Sequence, residues 1–104
     1  MQVLVNSDNH IDTSSSQASG IREHVQHKLQ RFEDHLTRIE LHLSDENGHK
    51  GGSQDKRCQI EARPKGRDPV SVSHQAETLN QAIEGAMDKL GTVLERAVAR
   101  TRVH

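Results

Sequence analysis

The chain has 104 residues, 31% hydrophobic and 28% charged, with a net charge of −1. This composition leads us to expect one ordinary-sized domain spanning residues 1–104, with a small core. The single aromatic residue, Phe32, argues against a platform for stacking unpaired bases, and the single cysteine, Cys58, rules out an intrachain disulfide.

Residues 2–6 alternate, with Val3 and Val5 on one face, and predict a short strand. These first residues carry neither a basic cluster nor a long apolar run. No secretory signal or membrane span is expected, and the expected location is the cytoplasm. Residues 7–12 read S-D-N-H-I-D and contain a D-x-H pair like the one that opens metallophosphoesterase sites. The later ligands such enzymes require are missing, so a polar loop is expected. Residues 12–20 are polar and Ser-rich. They read as a loop feeding a helix, with Ser14, Ser15 or Ser16 as the N-cap. Ile21, Val25, Leu29, Phe32 and Leu36 recur every three or four residues and predict a first helix ending near Leu36.

Three strands are predicted next. Ile39, Leu41 and Leu43 alternate with Glu40 and His42. Residues 44–55, with Gly48, Gly51 and Gly52, predict a mobile hairpin loop. Cys58, Ile60 and Ala62 alternate with polar neighbours, which makes Cys58 an expected buried, inert thiol. P-K-G-R-D-P at residues 64–69 reverses the chain. Val70, Val72, His74 and Ala76 form the apolar face of the last strand, where His74 is expected as a packed residue rather than a ligand. A second helix is expected from about Thr78, with a capping box between Thr78 and Gln81. Leu79, Ile83, Ala86, Leu90, Leu94 and Ala97 form its apolar stripe. The order β-α-β-β-β-α predicts an α+β fold: a four-stranded mixed sheet with both helices on one face. The first helix crosses to a parallel neighbour and the other three strands form a meander.

Charge is polarised along the chain. Residues 1–55 hold five Lys/Arg against nine Asp/Glu, and residues 56–104 hold nine against six. On a helical wheel Lys89, Arg96 and Arg100 line one edge of the second stripe, while Glu77, Glu84, Asp88 and Glu95 gather elsewhere. Lys28 and Arg31 share a flank of the first helix with His24, His27 and His35, and Arg22 falls on the other flank. A metal site needs three or four converging ligands, and these histidines could supply only part of one, with no Cys or carboxylate on their flank except Asp34 at its far edge, so no metal is expected. They are expected as surface histidines; a sharper reading is pH tuning, in which protonating this flank would strengthen RNA binding as pH falls. No Gly-rich phosphate cradle, Ser/His/Asp set or carboxylate pair is present, so neither an enzyme nor a cofactor is expected.

A-I-E-G-A-M-D-K-L at residues 82–90 resembles the final helix of the ribosome hibernation promoting factor family, also called the ribosome-associated inhibitor or sigma-54 modulation family. I-R-E-H-V-Q-H-K-L at 21–29 resembles its first helix and M-Q-V-L-V-N at 1–6 its opening strand. The resemblance implies a non-enzymatic factor without cofactor that sits in the mRNA and tRNA channel of the small ribosomal subunit. There it would block translation in stress or stationary phase. It also implies rRNA contacts through Arg22, Lys28 and Arg31 on the first helix and Lys89, Arg96 and Arg100 on the second, with Arg102 trailing. Phosphate neutralisation of this kind needs cations, not rings. With the chain stopping after the second helix, the resemblance implies a divergent, short-form member of the family. Thr92 and Val98 stand where basic residues are common in the family. That leaves a second reading, the same fold serving as a protein-interaction or regulatory module.

Overall fold

The computed structural model describes residues 1–7, 15–45 and 56–102, with side chains described at 1–7, 17–45 and 56–97. The elements are β1 (Gln2–Ser7), α1 (Ser15–Lys28), a 3-10 helix (Gln30–His35), β2 (Leu36–Asp45), β3 (Lys56–Pro64), β4 (Val70–Ala76) and α2 (Leu79–Arg102). The N-cap candidate Ser14, the loop expected after Ser7 and the body of the expected hairpin loop lie outside the described residues.

The sheet order is β1-β2-β3-β4. β1 runs parallel to β2, with Val3 opposite Ile39 and Val5 opposite Leu41. Parallel neighbours need a crossover of a dozen or more residues, which α1 and the 3-10 helix supply. β2, β3 and β4 pair antiparallel, with Leu41 opposite Ile60 and Ile60 opposite Val72. The mixed sheet and meander are those read from the alternation.

Alternation also decides which face is covered. Val3, Ile39, Leu41, Leu43, Cys58, Ile60, Ala62 and Ala76 are buried on one face of the sheet. Ile21 and Val25 of α1, Phe32 of the 3-10 helix and Ile83, Ala86, Leu90 and Leu94 of α2 join the same core. Both helices therefore lie on one side, α1 over β1 and α2 over β3 and β4. The opposite face carries Glu40, His42, Gln59, Glu61, Ser71 and Gln75. There Arg38 pairs with Glu40, and Arg63 with Glu61 at 3.2 Å. Burial pushes the Cys58 thiol up to about 12, so it stays protonated and inert. Among the described residues no helix is long and apolar enough to cross a membrane.

Three local expectations are corrected. Residues 15–20 are helical, not loop, because the half-buried Ala18 adds a turn to the stripe begun by Ile21 and Val25. The first helix does not continue to Leu36. It ends at Lys28, and the 3-10 helix follows, with Phe32 N–H donating to Leu29 O at 2.9 Å. Tighter winding puts Leu29 and Phe32, three residues apart, against the core together. Leu36 is then extended (φ −120, ψ 139) and opens β2. β2 also continues through Asp45, whose partner is Lys56. That pairing takes Ser44 and Asp45 out of the expected loop.

Candidate nucleic-acid interface

The apolar stripe of α2 fixes its rotation on the sheet and so fixes where its charges point. Thr78 starts the helix, its Oγ1 accepting the Gln81 backbone N–H at 3.1 Å. This satisfies one of the donors left open at a helix start. With Ile83, Ala86, Leu90 and Leu94 facing the strands, Glu84, Asp88 and Glu95 fall on the flank toward α1. Lys89 and Arg96 fall on the flank toward β4.

The seam between the helices is consequently a row of ion pairs. Lys28 Nζ lies 2.5 Å from Glu84 Oε2 and 3.1 Å from Asp88 Oδ1. His24 Nε2 contacts the other Glu84 oxygen. Arg31 pairs with Glu95 at 2.7 Å and lies over the Phe32 ring, 4.6 Å from its centroid. That geometry gives a cation–π contribution. A Cβ on Gly91 would approach the Arg31 guanidinium to 3.2 Å, so the small residue leaves room for the crossing side chain. The hydrogen bond from Lys28, and next that with His24, holds the Glu84 carboxyl below its ordinary range. Glu84, and then Asp88, raise the Lys28 ammonium above its own.

Among the described residues, the cations read from the sequence therefore fall on separate flanks. Lys28, Arg31 and His24 sit on the seam against carboxylates. Arg31 and His35 belong to the 3-10 helix rather than to α1. Arg22 and His27 are exposed on α1, and His35 is half-buried at the end of the 3-10 helix. Lys89 is exposed on the other side of α2, where its ammonium donates to Ser73 O of β4 at 2.9 Å. Arg96 is exposed on the same side. The backbone of α2 continues through Arg100 and Arg102, whose side chains lie outside those described. No group of three His, Cys, Asp or Glu side chains among the described residues could hold a metal.

A second basic region lies where the β3–β4 turn meets α2. Gly66 has φ 69, a conformation that favours glycine, and the turn is tied to the 3-10 helix by Lys65 N–H donating to His35 O at 2.9 Å. Arg67, Pro69, Val93 and Arg96 line an open groove of about 570 Å³ there, with Asp68 the one carboxylate among its lining residues. On its other side Lys65, Arg67, Phe32 and Leu94 line a smaller one of about 220 Å³.

The model of the Sigma 54 modulation protein / S30EA ribosomal protein family matches residues 7–102. The chain belongs to this family. Two solved structures share the family member's fold. A ribosomal subunit interface protein from Coxiella burnetii is 18% identical, with 95% of this chain and 99% of that chain covered at a TM-score of 0.73. The N-terminal domain of Protein Y from Thermus thermophilus is 22% identical, with 92% and 98% covered at a TM-score of 0.67. No curated protein sequence matches the chain.

In this family member, Arg67 shares a groove with Arg96, and Lys65 lies two residues away in the same turn; the P-K-G-R-D-P pattern signals a chain reversal but not this proximity. Their neighbourhood follows from lengths. The seven residues of β4 advance roughly 23 Å. At 1.5 Å per residue, α2 covers that distance on its return in about fifteen residues, near Leu94, and so passes the turn beside Arg96.

Proposed function

We propose that this protein is a non-enzymatic ribosome-binding factor. It occupies the mRNA and tRNA channel of the small subunit and inhibits translation in stress or stationary phase, in the cytoplasm. The observation that carries the reading is the family match across residues 7–102 of a 104-residue chain. Occlusion needs only shape and affinity, and affinity for folded RNA comes mainly from phosphate neutralisation. The cations assigned to rRNA are Arg22, Lys28, Arg31, Lys89, Arg96, Arg100 and Arg102. The exposed Arg96 flank, grouped with Arg67 of the adjoining turn and through it with Lys65, is the part supported by grouping in space.

The test is co-sedimentation with purified small subunits across a salt series, with Arg96→Glu and Lys89→Glu beside the unaltered protein. Binding at low salt should fall with a log–log slope of several units, and Arg96→Glu should weaken it. Failure to co-sediment at low salt would refute ribosome binding. It would favour the protein-interaction module, a reading that gains weight from the carboxylates opposite Lys28 and Arg31.

A further inference from the structure

The seam does more than join two helices. Glu84, Asp88 and Glu95 recur at spacings of four and seven residues, which puts all three on one flank of α2. Opposite them stand two cations, Lys28 against Glu84 and Asp88 and Arg31 against Glu95, with the His24 imidazole also in contact with Glu84. Each cation donates to carboxylate oxygens as it would to phosphate oxygens. The row is not sealed. Glu84, Asp88 and Glu95 keep 43%, 71% and 55% side-chain exposure, so an incoming anion has access to the same donors.

We propose that this acidic flank of α2 is an internal phosphate mimic. It holds Lys28 and Arg31 in the free protein, and RNA phosphates must displace it to engage them. The inference rests on the ribosome-binding reading and adds a regulation of that surface. Exposed ion pairs are individually weak, so displacement is feasible, yet it discounts affinity by the free energy of the pairs it breaks. The protein then discriminates. A ligand touching only the Arg96 flank binds loosely. One presenting a phosphate row to both flanks repays the opening of the seam.

The experiment compares small-subunit binding, at one moderate salt concentration, by three proteins. These are the unaltered chain, Glu84→Gln/Asp88→Asn/Glu95→Gln, and Glu23→Gln/Glu33→Gln/Glu77→Gln. The last makes the same change in net charge at exposed acids away from the seam. The seam variant should bind roughly tenfold tighter than the charge-matched variant. Lys28→Met should cost little in the unaltered chain and several-fold in the seam variant, because only there does the ammonium engage phosphate without first giving up Glu84 and Asp88. Equal affinity of the two triple variants, or an equal cost of Lys28→Met in both backgrounds, overturns the mimic and leaves the ribosome-binding reading standing. Absence of binding by all three overturns both.

Discussion

Gly85 lies within the A-I-E-G-A-M-D-K-L stretch of α2, where it is half-buried against β4. A Cβ there would fall 2.1 Å from His74 Cδ2, 2.4 Å from Nε2 and 2.5 Å from Cγ. Ordinary carbon contacts are near 3.5–4.0 Å, so either the imidazole moves by more than an ångström or α2 lifts from the sheet. Lifting would open the contacts of Ala82, Ala86 and Met87, all essentially buried. Overpacking of this kind costs about 1–3 kcal/mol. Against it stands the helix preference for Ala over Gly, about 1 kcal/mol. The net expectation for Gly85→Ala is a loss of about 1 kcal/mol, or a Tm lower by about 4–8 °C. In a His74→Ala background the obstruction is gone and only the helix preference remains, so the same substitution should raise Tm. Thermal melts of the four proteins followed by far-UV circular dichroism suit a chain without Trp or Tyr. The opposite signs in the two backgrounds are the signature. If Gly85→Ala stabilises the unaltered chain, or acts equally in both, the close approach of α2 to β4 at His74 is wrong.

Thr78→Ala removes the hydroxyl that accepts the Gln81 N–H and should cost about 0.5–2 kcal/mol, read from urea melts. Glu84→Gln should lower stability near neutral pH by no more than about 1 kcal/mol, given the exposure of the pair. Because Glu84 titrates below its ordinary 4.5 when folded, its contribution is present above that value and lost as pH falls through the lowered one. The gap between the two proteins should therefore close in acid. It should also narrow at alkaline pH, as the raised Lys28 ammonium deprotonates above 10.5. A gap independent of pH would refute the pairing. Cys58, fully buried with its thiol pushed up to about 12, should react with a thiol reagent only through unfolding. Its labelling rate should rise with urea in step with the unfolded fraction.

Much of the fold was legible in the chain because burial writes itself into periodicity. A strand with one covered face must alternate, as Ile39, Leu41 and Leu43 do. A helix on a sheet must repeat near 3.6, as Ile83, Ala86, Leu90 and Leu94 do. The Thr78 cap was legible for a local reason, a hydroxyl within reach of an N–H three residues on. The end of α1 was not, since Leu29, Phe32 and Leu36 suit a helix as well as the 3-10 segment and strand they form.

The site divides along the same line. Sequence alone sorted the α2 charges into two flanks, because angles about a helix axis follow from residue number. It left open which flank meets α1, which depends on where α1 lies beside α2. Only the tertiary structure decided that. β1 pairs beside β2, at the far side of the sheet from β4, so α1 above it faces the Glu84–Asp88–Glu95 flank. Lys89 and Arg96 turn the other way, toward β4 and the Pro64–Pro69 turn.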